Sequence, residues 1–420
     1  MRFIRLAALV ALAACAPRTP AANVATARTA APAAASAGPP VVILISIDGF
    51  RADYVDRPGA VHLRALAARG VRADRMIPSF PAITFPNQYT LVTGLYPGHH
   101  GIVVNNMSDS VLGRFSLGDN PAVRDGRWWG GEPIWVTAEQ QGQRSAMFFW
   151  PGSEAAIKGV RPHWYNKYDG SIPNSARVTQ VLNWLSLPVD SAPRFIGVYF
   201  SDTDDMGHKF GPDSPENAAA IAHADSAVGA ILQGIDSLRL SQRVNVIVVA
   251  DHGMTELAPE RLIPLDEYVS PDSVTILELN PMAAIFPKPG AESYVYNALK
   301  GRDPHLTVYK KGELPARLQY RDHPRVAPIL ALADAGWTIV RTRASSRVKP
   351  GSLMGMHGYD NELASMGAVF VAGGPAFQQG LRVGPFANIH VYSLMTHILG
   401  LRAAPNDGSL SAVQDMLRSR

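Results

Sequence analysis

Four continuous apolar runs stand out along the chain: Val41-Val42-Ile43-Leu44-Ile45-Ser46-Ile47, Phe195 to Phe200, Val244 to Ala250 and Gly367 to Ala372. Runs of this kind, rich in β-branched residues and without alternation, predict strands covered on both faces. Between them lie stretches with helical spacing at Ala60 to Arg69, Ala218 to Leu238 and Arg325 to Ala335. Strands alternating with helices predict an α/β domain with a mostly parallel sheet and helices on both faces. The segment from about 256 to 350 mixes short strands and turns and is expected to form an insert. No internal repeat is visible.

The N-terminal 40 residues follow a different pattern. A charged start, Met1 to Arg5, precedes the short apolar stretch Leu6 to Ala14, which predicts a secretory signal too short to span a membrane. Cys15, the single cysteine, closes Leu12-Ala13-Ala14-Cys15, which resembles the lipobox of bacterial lipoproteins. The expectation is export with a lipidated Cys15, facing the periplasm or on the outer membrane; a soluble periplasmic or secreted protein is the alternative. Residues 15–40, almost free of large apolar side chains, read as a tether. The folded domain is expected at 41–402 and a C-terminal tail at 403–420.

Composition adds exclusions. The net charge of +4 includes Arg2 and Arg5 of the signal, so the mature chain is near balance, which argues against a general nucleic-acid surface. Without cysteine, the folded part has no disulfides, and any metal must be held by histidines and carboxylates.

Ligands of open α/β sheets gather at the carboxyl ends of the strands. There the chain places Asp48-Gly49, then Asp202-Thr203-Asp204-Asp205-Met206-Gly207-His208, then Asp251-His252-Gly253. His357-Gly358 comes shortly before the fourth run. Each Asp alone reads as a cap or turn residue and each His as a satisfied turn histidine. Together Asp48, Asp204, His208, Asp251, His252 and His357 make two three-ligand sets of oxygen and nitrogen donors. These suit Zn²⁺, with Mn²⁺ or Fe as alternatives. Three aspartates against two divalent ions leave room for one more negative ligand, which an ionised hydroxyl on a metal would supply. Thr84, in Pro81-Ala82-Ile83-Thr84-Phe85-Pro86, is the candidate. It reads as a helix N-cap followed by proline in the first turn, where backbone N–H groups and the helix dipole favour a phosphate.

These motifs occur in order with Ile47 to Arg51, Thr93-Gly94-Leu95-Tyr96-Pro97, His100-Gly101-Ile102, Asn105-Asn106-Met107, Gly211-Pro212, His357 to Asn361 and Pro385 to Tyr392. The chain thereby closely resembles the nucleotide pyrophosphatase/phosphodiesterase family of the alkaline phosphatase superfamily, from about Val41 to Leu401. The resemblance implies an alkaline-phosphatase-like three-layer sandwich and two Zn²⁺ per chain. One ion would be held by Asp204, His208 and His357, the other by Asp48, Asp251, His252 and Thr84, the nucleophile. It further implies that Asn105 binds a phosphate oxygen, that Phe85 and Tyr199 sandwich a nucleobase, and that Tyr168 and Trp150 line that pocket. The implied reaction releases a nucleoside 5′-monophosphate from a small nucleotide or other diester through a threonyl-nucleotide intermediate. A phosphodiesterase or phosphomonoesterase of the same superfamily, acting on lipid or choline headgroups or other phosphate esters, is the alternative. Ser201-Asp202-Thr203 departs from the family's usual Glu-Glu-Pro, and Met356 from a small residue, without removing a proposed ligand. Asp202, Asp205 and Asp360 are expected in supporting roles, and His62, His390 and His397 in none.

Overall fold

The central strand Val41–Ile47 is buried along its whole length. At roughly 1.5–3 kcal/mol for each fully buried Val, Leu or Ile, such a run anchors the core. It pairs in parallel with Phe195–Phe200 on one side and Val244–Val249 on the other. A computed structural model describes residues 38–118, 120–345 and 354–419. The signal and tether expected at 1–37 lie outside the described residues.

The main sheet has eight strands in the order Leu381–Val383, Val71–Ala73, Phe370–Gly373, Val244–Val249, Val41–Ile47, Phe195–Phe200, Ser145–Phe148 and Trp164–Asn166. All neighbours pair in parallel except Phe370–Gly373, which runs antiparallel to both of its partners. Helices Val61–Arg69, Asn174–Leu185 and Pro215–Ser237 pack together on one side. Helices Thr84–Thr93 and His390–Leu399 pack together on the other. This is the mostly parallel sheet between helices that the alternating pattern predicts, and the alkaline-phosphatase-like sandwich that the resemblance implies. Pro215–Ser237 is long and apolar enough to cross a membrane, but it buries ten of its residues in the protein interior, as a core helix does.

A second, antiparallel sheet is ordered Val274–Glu278, Met282–Pro287, Ile329–Ala333 and Leu306–Lys310, with its own apolar core around Ile285, Val295 and Ile329. Two expectations change here. The stretch Arg325 to Ala335, expected as a helix, contains the strand Ile329–Ala333. A short run covered on both faces carries no period that separates the two states. Residues after 402 are not free of the body, since Val413 and Met416 are buried in the main core.

Candidate active site

The carboxyl ends of the parallel strands deliver Asp48 and Asp251, while Asp204 and His208 lie one turn apart on the helix Asp202–Phe210. His357 arrives differently. Because Phe370–Gly373 runs antiparallel, the chain before it lies at the same edge as the chain after the parallel strands. Gly49 permits a close approach of two of these elements: its φ is +64°, and a Cβ there would stand 3.1 Å from the Asp204 Cα.

Asp48, Asp251, His252 and His357 are buried. His208 Nε2 is 3.3 Å from Asp204 Oδ1, and His357 Nε2 is 3.7 Å from the same oxygen. His252 Nε2 is 3.4 Å from Asp48 Oδ1 and 3.2 Å from Asp251 Oδ2. The structure thus brings together all six residues singled out in the sequence. Their atoms converge as two groups, Asp204 with His208 and His357, and Asp48 with Asp204 and His252.

The hydrogen bonds test whether cations fit. Each Nδ1 faces a backbone carbonyl at 2.9 Å: Gly355 for His208, Gly253 for His252 and Ala82 for His357. A carbonyl only accepts, so Nδ1 carries a proton, and in the neutral ring that a cation needs Nε2 presents a lone pair. The oxygens it meets, Asp48 Oδ1, Asp204 Oδ1 and Asp251 Oδ2, are buried and have no hydrogen-bond partner. Lone pairs facing lone pairs in a dry site are unfavourable until a positive charge lies between them. Divalent cations fit this donor set, and its nitrogen and carboxylate ligands suit Zn²⁺.

The titration behaviour expresses the same conflict. Burial, then the charges of Asp251 and Asp204, push the Asp48 carboxyl well up. Burial also works to raise Asp204, but the neighbouring histidines, His208 first, hold it below the usual carboxylate range. Burial works to lower His208, and Asp204 outweighs it, so its pKa is pushed up to about 9. Burial and the neighbouring His252 push His357 down.

The helix Thr84–Thr93 begins at Thr84, with Ile83 in the extended N-cap position and no side-chain cap. The cap expected of Thr84 is therefore displaced by one residue. Its Oγ1 stands 3.2 Å from His252 Nε2 instead. The first-turn N–H of Phe85 is satisfied from elsewhere, by Asn105 Oδ1 at 3.0 Å. That bond leaves Asn105 its NH₂ for a ligand.

A cavity of about 500 Å³ opens over these groups, lined among others by Thr84, Phe85, Asn105, Leu117, Trp150, Glu154, Tyr168 and Tyr199. No Lys or Arg is among the described residues that line it. Tyr199, expected to stack on a base with Phe85, donates its hydroxyl to Asp48 Oδ2 at 2.5 Å and is 9% exposed. Tyr168 is 59% exposed. Glu154 escaped the sequence reading. It follows Phe148 at the same sheet edge, accepts from the Tyr168 N–H at 2.9 Å and pairs with Arg124 at 2.8 Å. The supporting residues have partners: Asp202 holds His223 and Asn174, Asp205 accepts from Ser201, and Asp360 pairs with Arg317.

The mixed sheet and the cation-ready cluster at its carboxyl edge define an alkaline-phosphatase-like α/β hydrolase. Residues 42–360 match the model of the type I phosphodiesterase / nucleotide pyrophosphatase family, and the chain belongs to that family. It is 39% identical over 381 residues to human ectonucleotide pyrophosphatase/phosphodiesterase family member 5, covering 90% of this chain and 78% of that protein. It is 38% identical over 388 residues to the bovine bis(5′-adenosyl)-triphosphatase ENPP4, covering 91% and 83%. The murine member 5, solved as an inactive threonine-to-alanine variant with AMP, superimposes with a TM-score of 0.86 at 38% identity. That superposition covers 90% of this chain and 100% of the murine one. The protein is a hydrolase of phosphodiester and pyrophosphate bonds.

Proposed function

We propose that the protein cleaves small nucleotide diesters and pyrophosphates, releasing a nucleoside 5′-monophosphate, with Thr84 as nucleophile and two Zn²⁺ per chain. Asp204, His208 and His357 would hold one ion, and Asp48, Asp251, His252 and Thr84 the other. When bound, the ions supply positive charge to the phosphoryl oxygens and lower the pKa of an adjacent hydroxyl.

Thr84 Oγ1 attacks phosphorus in line; an Oγ1–P bond forms and the bond to the leaving oxygen breaks. The hydroxyl proton is lost to solvent or to the leaving group. Water then attacks the threonyl-nucleotide, restores the Thr84 hydroxyl and releases the monophosphate. Asn105 offers its NH₂ to a phosphate oxygen, and the Thr84 N–H, at the start of the Thr84–Thr93 helix, adds the positive end of the dipole. Phe85 and Tyr168 offer aromatic surface to a base, with the Tyr199 ring at the back of the cavity. With no Lys or Arg among the described residues that line the cavity, the site favours a singly charged diester over a doubly charged monoester.

The observation that carries this reading is the Thr84 hydroxyl, 3.2 Å from His252 Nε2 at the start of a helix. The names of the relatives and the AMP complex of an inactive threonine-to-alanine member support it. The ectoenzyme names also support export of this chain, with Cys15 as the proposed lipid anchor. Thr84→Ala is expected to lower diester turnover by at least about 1,000-fold while zinc content is kept. Turnover near the wild-type rate would refute the assignment.

A further inference from the structure

Asn105 sits at the base of a hairpin whose strands are Asn106–Asp109 and Gly113–Ser116, closed by Leu117 N–H donating to the Asn105 carbonyl at 3.2 Å. The inserted sheet grips this hairpin at two places. Arg325 Nε donates to Asp109 Oδ2 at 2.8 Å. At the other end Glu278 Oε2 accepts from the Asn106 N–H at 3.0 Å and from Asn106 Nδ2 at 3.2 Å. Glu278 ends the strand Val274–Glu278, where a register shift between Ile276 and Glu278 interrupts the pairing. Irregularities of this type re-aim a side chain out of the ladder.

Burial raises the Glu278 carboxyl, and the N–H groups of Asn106, Leu279 and Asn105 oppose it. A partly buried carboxylate that accepts from a backbone N–H fixes that donor in return, because a charged acceptor strengthens the bond. Its hydrogen bonds come from Asn106, the chain neighbour of Asn105. On the far side, the Asn105 amide is oriented by the Phe85 N–H, at the first turn of the Thr84 helix. Glu278 therefore ends a chain of contacts that runs from the insert through Asn105 to the nucleophile's helix.

We propose that Glu278 is a positioning residue for the hydrolysis: it sets the place of Asn105, and through it the NH₂ that meets the phosphoryl oxygen. The proposal rests on the role assigned to Asn105 under Proposed function. It gives the inserted sheet a part in the reaction, although Glu278 does not line the cavity. A donor that binds more strongly as charge develops acts on kcat, and displacing it by a fraction of an ångström is felt there.

The test is a double-mutant cycle on the zinc-loaded protein with the p-nitrophenyl ester of thymidine 5′-monophosphate. Glu278→Ala removes the acceptor, Glu278→Met removes it at similar volume, and Glu278→Gln keeps one oxygen. In the Ala or Met variant, kcat is expected to fall by roughly 10- to 100-fold with KM within about threefold, and in the Gln variant by only a few-fold. In an Asn105→Ala background the same Ala or Met change is expected to cost less than about threefold, because the residue it positions is gone. An equal loss in both backgrounds, or wild-type kcat in Glu278→Met, would overturn the proposal. If Asn105→Ala alone turns over like wild type, the reading of Asn105 falls first. If Asn105→Ala is impaired and the Glu278 variants are not, only the positioning role falls.

Discussion

The Tyr199 hydroxyl separates two roles that one aromatic side chain could play. If the ring stacks on a nucleobase, Tyr199→Phe changes little. The structure assigns the hydroxyl to Asp48 Oδ2 at 2.5 Å, with Asp48 1% and Tyr199 9% exposed. A hydrogen bond to a charged group of this kind contributes about 1.5–3 kcal/mol. Losing a group that orients a metal ligand costs roughly 10- to 100-fold in affinity, or about 1.4–2.7 kcal/mol. Two independent estimates thus agree. Zinc affinity measured by chelator competition should fall by that factor in Tyr199→Phe, while KM for a nucleotide diester at saturating zinc stays near wild type. Unchanged zinc affinity would refute the argument that the phenol holds Asp48. A rise in KM alone would assign the hydroxyl to the substrate.

Two further predictions concern the support behind the site. His100 is buried, accepts from the Ile102 N–H at Nδ1 and faces the Pro86 carbonyl through Nε2. Burial pushes its pKa from 6.5 down to about 3, so the folded state resists a proton that the unfolded chain accepts. Stability is therefore lost as pH falls from 6.5 toward 3, by about 2 kcal/mol at pH 5 relative to pH 8. In urea denaturation His100→Gln should lack this component, narrowing its stability gap to wild type by that amount at pH 5; parallel curves would contradict the assignment. Arg325→Met, which strips donors from Asp109, Gly101 and Trp128, should cost about 3 kcal/mol in the same assay, and a loss below about 1 kcal/mol would show that the clamp is not under load.

What the sequence made legible follows from the range of the interactions. Asp48 and Asp251 were found because a buried parallel strand announces its own carboxyl end. Asp204 and His208 were found because four residues is one helical turn. His357 reaches the same edge for a reason the sequence does not display, the antiparallel direction of Phe370–Gly373. Thr84 was placed one residue off its helical position because its first-turn donor is satisfied by Asn105, 20 residues away. The Tyr199 bond to Asp48 and the Glu278 bond to Asn106 span 151 and 172 residues, and no local pattern encodes them. The sequence predicts a helix over Arg325 to Ala335 where the strand Ile329–Ala333 forms, because burial on both faces erases the period that distinguishes the two.

The central claim is a nucleotide diesterase rather than a monoesterase or headgroup esterase. It is tested most directly by comparing kcat/KM for the p-nitrophenyl esters of thymidine 5′-monophosphate, phosphate and phosphorylcholine on protein of measured zinc content. A site with aromatic walls and no Lys or Arg among the described lining residues predicts the nucleotide ester ahead of both others by at least about 100-fold, or about 2.7 kcal/mol of transition-state binding. Equal or faster turnover of p-nitrophenyl phosphate or of the phosphorylcholine ester would contradict it.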